Sequence, residues 1–343
     1  MSAILLPPNQ PSRFYRGGPA IARFRGVPAV GDHVPEDWVG STTAVLGGDG
    51  SGLTTLPDGR RLGDAIAAAP GAFLGEEHVR AFGPDPAVLL KLLDAGERLP
   101  VHAHPDREFA RRLLDAPYGK SEAWLILAAD GEDATLRLGF REDVELDTLL
   151  DWVVRQDAPA MLAALNELTV EPGDSVYVPA GVPHAIGEGV LMVEVQEPSD
   201  LGVMLEWSRF GLDPGAATMG LGFDVALGCV RRSAVGPEEL ASWRRDSASA
   251  PETRPGVRAA VPPAAEPFFR AEWLRPDPAV SLEPAFSILV VVGGAGRLET
   301  ESGRLDVAAG ETVLVAHAAG PAALSGDLAA VRCLPPQPLE GRR

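Results

Sequence analysis

The sequence is poor in cysteine, in basic charge and in long apolar runs. Its 343 residues hold two cysteines, Cys229 and Cys333, too few for a disulfide framework and too far apart for a thiolate metal site. Both read as buried apolar fillers. Acidic residues outnumber basic ones 48 to 30, for a net charge of −18, which argues against nucleic acid and against anionic membrane surfaces as partners. An anionic substrate must therefore meet a local basic cluster. No apolar run approaches the length needed to span a bilayer. The opening MSAILLPPNQPSRFYRGG, broken at Pro7 and Pro8, lacks the basic start and long apolar core of a signal peptide. A reducing cytoplasm is the expected compartment.

What is abundant is punctuation. With 38 glycines and 32 prolines, short segments rich in Val, Leu and Ile are interrupted too often for long helices, so the class is mainly β. Strands are expected at 20–26, 87–95, 99–104, 122–129, 174–179, 190–196, 286–293, 297–302 and 312–317. Helical patterning falls at 63–70, 105–115, 146–156 and 159–168, the last two reading as a small helical insertion around 142–168. The polar, Pro-rich stretch 244–267 reads as a linker or long loop between a domain at 1–243 and a second at 268–343. An internal repeat links the two. VEPGDSVYVPAGVPH (170–184) and VAAGETVLVAHAAGP (307–321) share a glycine, an acidic residue, an alternating strand and a small-residue turn, with Pro321 standing where the first copy has His184. Two β-barrels of similar build, one with a metal ligand and one without, would give this pattern.

The chain has only six histidines, yet His102 and His104 stand one residue apart in GERLPVHAHPDREFARRLL. In an extended strand, residues i and i+2 share a face, so the two imidazoles would emerge side by side as a metal-ligand pair. The spacing from Gly96 to His102 and His104, followed by that from Gly173 through Pro179, Ala180 and Gly181 to His184, resembles the paired signature of the cupin superfamily. That resemblance implies two jelly-roll β-barrel domains, the first with a metal inside one end. Two carboxylates compete as the remaining ligand. Glu108 follows a Pro-Asp helix start, which puts it on a helix surface, whereas Glu122 begins the strand EAWLILAA and shares a face with Trp124 and Ile126. Glu122 is favoured.

Four blocks narrow the resemblance. LLKLLDAGERLPVHAHPDREFA, YGKSEAWLILA, GDSVYVPAGVPHAIGEGVLMVEVQEPSD and PEDWVGST resemble, in order, those of the type I mannose-6-phosphate isomerases in their short bacterial form. The resemblance implies one zinc ion per chain at positions matching His102, His104, Glu122 and His184, with His102 standing where the family carries Gln. It further implies interconversion of mannose 6-phosphate and fructose 6-phosphate through an enediol, the sugar phosphate being the partner. Such chemistry needs a cation near the two reacting oxygens and a base within reach of the transferred proton.

Lys120 shares the face of Glu122 if the strand extends that far, which puts an ammonium beside metal and substrate. Arg209, in LEWSRF, matches the family's catalytic arginine, and Trp124 is a candidate to stack on the sugar. The family's polar run ahead of that arginine is replaced here by Leu205, Glu206, Trp207 and Ser208. That change keeps open a non-catalytic sugar-binding cupin, while three imidazoles with one carboxylate also suit the iron of a cupin dioxygenase. His33, His78 and His317 read as loop or surface residues.

Overall fold

The computed structural model describes residues 2–131, 134–247 and 249–338. The chain is mainly β, with antiparallel pairing throughout its three sheets. One sheet has six strands, in the order Arg244–Asp246, Asp174–Val178, Glu122–Ala129, Val190–Gln196, Leu89–Asp94 and Glu36–Val39. A second has five: Val203–Met204, His102–Ala103, His184–Ile186, Thr135–Phe140 and Leu165–Thr169. Both contribute to one apolar core, where Trp124, Val176 and Val193 of the first meet Leu136, Leu138 and Ile186 of the second. The functional candidates lie between these two sheets.

The back of the five-stranded sheet is also apolar, and it is covered by the helices Leu146–Arg155 and Ala158–Ala164. Leu149, Val153 and Met161 pack there against Ala103, Ala185 and Val203. Sealing this face keeps the histidine strands from water on their outer side. The expected helix at 159–168 stops at Ala164, because Leu165–Thr169 turns extended and pairs with Thr135–Phe140.

The third sheet has nine strands and its own core of Leu289, Val291, Val313 and Leu324 among others. Its two long strands, Ser287–Thr300 and Ala322–Leu334, pair along most of their lengths. The expected strands at 286–293 and 297–302 are thus one, bent by a register shift between Val291 and Gly293 that keeps the run continuous. Among the described residues the pairings form open sheets, where closed barrels were expected. Strand Ile4–Leu5 belongs to this third sheet, lying against Thr312–Val315. The segment 244–267 carries the short strands Arg244–Asp246, Glu252–Arg254 and Val257–Ala259, which pair within the sheets and so make it more than a loop.

The internal repeat survives in detail. Asp174 accepts a hydrogen bond from the Glu171 N–H at 2.9 Å, and Glu311 accepts the equivalent one from Ala308 at 2.8 Å. Each acid closes the turn that launches its strand, Asp174–Val178 or Thr312–Val315. Beyond the strand the copies diverge: the first delivers His184, and the second makes a short turn, His317–Ala319, before Pro321.

Residues 20–26, expected as a strand, form instead the helix Ala20–Arg25 ended by Gly26. The cause is tertiary. Asp94, from a strand far along the chain, accepts hydrogen bonds from the N–H groups of Ala20 and Ile21 at 2.5 and 3.2 Å and so supplies the missing cap.

Candidate metal centre

Three backbone features bring the motifs together. Pro100 and Pro105 bracket the first histidine pair, leaving only His102–Ala103 free to join a ladder. His102 is then the direct cross-strand partner of His184. The Pro-Ala-Gly turn closes on the same spot, because the Gly181 N–H donates to the His104 carbonyl at 2.7 Å. Only glycine fits that turn: Gly181 has φ +87°, and a Cβ there would lie 2.9 Å from the Cys229 carbonyl oxygen. Gly96, which opens the first motif, is fixed by close approach, since a Cβ would fall 2.1 Å from the backbone of Gly17.

The carboxylate arrives from the opposite sheet. Glu122 begins its strand as expected, and its oxygens lie 3.3 Å from His184 Nε2 and 3.4 Å from His104 Nε2. Glu108 is exposed on helix Arg107–Leu114, whose first turn is capped by Asp106 accepting from the Phe109 N–H at 2.8 Å. Lys120 precedes the strand and is held by its N–H donating to the Pro105 carbonyl. Its ammonium is buried, 2.8 Å from Glu122 Oε2 and 3.0 Å from His104 Nε2.

The ring tautomers follow from the partners. Each histidine places Nδ1 2.8 Å from a backbone carbonyl: His102 on Pro100, His104 on Leu201, His184 on Val182. A carbonyl can only accept, so Nδ1 carries the hydrogen and Nε2 of the neutral ring is a bare lone pair. Burial keeps the rings neutral, pushing His104 and His184 down to about 3 and His102 well below its ordinary value. His102 Nε2 and His184 Nε2 then face each other at 2.9 Å with no proton between them. Ligand atoms of all three rings lie within 4.8 Å of one another. Burial alone would raise the Glu122 carboxyl, but Lys120, His104 and His184 together outweigh it and hold the group well below the usual range. Three converging lone pairs and an ionised carboxylate, buried together, are a donor set that suits a divalent cation; Lys120 reaches only His104 and Glu122 and leaves His102 and His184 facing each other.

Around this group the pocket carries an alternating chain of charges that sequence reading had missed. Asp200 pairs with Arg13 at 3.0 Å, and Arg13 with Glu36 at 3.3 Å. Lys91 lies 3.7 Å from Glu36 and 3.4 Å from Glu194; Lys120 lies 3.5 Å from Glu194. Tyr15 and Trp38 donate to the two oxygens of Glu36. A signal was present for part of it. Lys91 and Glu194 are lone charges inside apolar runs, LLKLLD and VLMVEVQ, and they face each other in register on neighbouring strands.

Two expected substrate contacts lie elsewhere. Trp124 is fully buried beneath the site, its ring edge-on to His184 with centroids 5.3 Å apart, so it packs that imidazole from behind and has no face for a sugar. Arg209 is 54% exposed, 3.5 Å from Glu97 and over the Phe210 ring, and it is not among the pocket-lining residues. The altered run ahead of it has a packing role. Leu205 is buried, and Glu206 takes a two-point contact from Arg98 at 2.7 Å while accepting from the Val101 N–H. Among the remaining histidines, His33 and His317 are exposed as expected, but His78 is buried on helix Glu76–Phe82, bonded to the Asp85 carbonyl at 2.7 Å. Cys333 is buried and Cys229 half-buried; both are free thiols.

No family model matches the sequence. Among curated proteins it is 31% identical over 190 residues to the mannose-6-phosphate isomerase ManA of Bacillus subtilis, a region making up 54% of each chain. It is 34% identical over 128 residues to the mannose-6-phosphate isomerase of Streptococcus mutans, 36% of this chain and 39% of that one. Both of these curated homologues carry the name mannose-6-phosphate isomerase. The chain spans about half the length, or less, of these two relatives. Solved structures extend the likeness of fold to nearly the whole chain. The mannose 6-phosphate isomerase from Bacillus subtilis superimposes with a TM-score of 0.70 at 22% identity, covering 97% of this chain and 99% of that one. A mutant phosphomannose isomerase from Salmonella typhimurium gives 0.75 at 18% identity, covering 98% and 100%. Among the described residues no helix is long and apolar enough to cross a membrane.

Proposed function

We propose that this protein is a metal-dependent aldose-ketose isomerase that interconverts mannose 6-phosphate and fructose 6-phosphate, with zinc held by His102, His104, His184 and Glu122. The observation that carries the reading is the meeting of three unprotonated Nε2 atoms and one carboxylate between two sheets. The names of the homologues supply the substrate. In the same reading the two sheets around the site are a cupin-like jelly roll and the nine-stranded sheet its degenerate second copy, as the shared turn hydrogen bonds suggest.

The reaction moves a proton between C1 and C2 of the open-chain sugar while negative charge gathers on the adjacent oxygens. A bound divalent cation supplies Lewis-acid stabilisation of that charge. Lys120 adds a fixed positive charge from the protein. Burial would lower its pKa, but Glu122 and Glu194 outweigh burial and keep it raised, so it stays an ammonium and serves as a hydrogen-bond donor. Glu194 is the carboxyl pushed up by burial against the pull of Lys91 and Lys120, which brings it nearer than an ordinary glutamate to exchanging a proton at working pH. The pocket is narrow and walled by Leu93, Leu99 and Ile186, which limits water around the enediol.

The test is a coupled isomerase assay on mannose 6-phosphate with the protein stripped and reloaded with zinc, run beside iron-loaded protein in an oxygen electrode. Zinc-dependent formation of fructose 6-phosphate is expected. Oxygen uptake with iron and no isomerisation with any metal would refute the reading.

A further inference from the structure

If the substrate is a sugar phosphate, its dianion needs a cation that the pocket can release. Lys91 and Lys120 are single ammonium points, each held between two glutamates whose side chains are at most 3% exposed: Lys91 between Glu36 and Glu194, and Lys120 between Glu122 and Glu194. Arg13 also lies between two carboxylates, Glu36 and Asp200, but Asp200 is the more accessible of them, at 8%. Arg209 lies outside the lining residues. Arg13 is the one guanidinium that lines the pocket among the described residues. Its Nε faces Glu36, while both of its terminal nitrogens point at a single carboxylate, with Nη1 3.0 Å from Asp200 Oδ2 and Nη2 3.0 Å from Asp200 Oδ1.

That two-pronged contact has the geometry an arginine uses for a phosphate. Asp200 also sits beside the metal candidates in the chain, since the next residue, Leu201, is the carbonyl partner of His104 Nδ1. Its Oδ2 also accepts from the Leu46 N–H at 3.0 Å, on an exposed loop, a contact that does not depend on Arg13. Resting on the isomerase reading, we infer that Arg13 is the residue that selects the phosphorylated sugar, and that Asp200 occupies its fork until the phosphate displaces it. A phosphate monoester carries nearly two negative charges where the aspartate carries one, so the exchange favours the ligand. The displaced carboxylate keeps the Leu46 N–H.

Two measurements test this: calorimetric titration of metal-free protein with inorganic phosphate, and the ratio of kcat/KM for mannose 6-phosphate to that for mannose in zinc-loaded protein. Arg13→Met should lower both phosphate affinity and the ratio by roughly 100-fold, as expected for losing a charge-assisted two-point contact. Asp200→Asn removes the competing charge and should tighten phosphate about 10-fold, an effect opposite in sign to that of a purely structural ion pair. An Arg13→Met protein that keeps the ratio, or an Asp200→Asn protein that binds phosphate more weakly, overturns the assignment. Should Arg13→Met not fold, the Asp200→Asn titration decides alone. Absence of turnover on either sugar in the unaltered protein refutes the isomerase reading, and the phosphate titration still judges Arg13.

Discussion

His102 Nε2 stands 2.9 Å from His184 Nε2, two lone pairs pressed together because each ring has already committed its Nδ1 hydrogen to a backbone carbonyl. The contact is repulsive until a cation sits against both. Replacing His104 or His184 with Ala should therefore abolish stoichiometric zinc retention and isomerase activity together. Metal content after gel filtration, read beside the coupled assay, checks this; a variant keeping one zinc per chain would remove its histidine from the set.

The two glutamates once in competition now differ in setting. Glu122→Gln should cost the metal, since it removes the only carboxylate within 3.4 Å of the Nε2 atoms among the described residues. Glu108→Gln alters an exposed helix position and should leave metal content and kcat unchanged within about twofold. Reversal of these outcomes would move the ligand role to Glu108.

Metal-free protein should lose stability on mild acidification. An unfolded histidine takes up a proton near 6.5, whereas folded His104 and His184 resist until about 3. Between those values the unfolded state binds more protons, so the stability present above pH 6.5 drains away as pH falls toward 3. Urea midpoints measured from pH 7 to pH 4 should decline continuously. A flat profile would mean the rings are less shielded than the structure shows.

Trp124 gives a prediction about packing. It is fully buried against His184, so Trp124→Ala should cost about 3–5 kcal/mol of folding stability, whereas Trp124→Phe should cost less and leave KM for the sugar little changed. A large KM increase in the Phe variant would restore a role in substrate contact.

Arg209→Ala should change kcat/KM by less than about threefold, because its guanidinium is more than half exposed and paired only loosely with Glu97. Steady-state kinetics at saturating zinc decide it.

The meeting of His102, His104 and His184, with Glu122 beside them, was legible because short-range spacing carried it: a His-x-His in a strand, a Pro-Ala-Gly turn, and a glutamate opening a strand. The helix start at Pro105 and Asp106 was equally local, and it placed Glu108 outward. What stayed hidden depends on partners distant in sequence. Ala20–Arg25 became helical because Asp94 caps it, and no pattern within 20–26 announces a carboxylate from 74 residues away. Arg13 and Asp200, 187 positions apart, left no spacing to read. Trp124 was read by its face, correctly as inward, but a face does not say whether a ring meets solvent or the back of a histidine.

Strand Ile4–Leu5 lies against Thr312–Val315, with Ile4 opposite Leu314. Strand Ile4–Leu5 thus has no partner until a segment some three hundred positions further along the chain has been made. Removing Ile4–Leu5 would bare a row of amides along Thr312–Val315, an invitation for a neighbouring molecule to add a strand of its own. Changes made at Ile4 and Leu5 will be felt at the edge of the nine-stranded sheet.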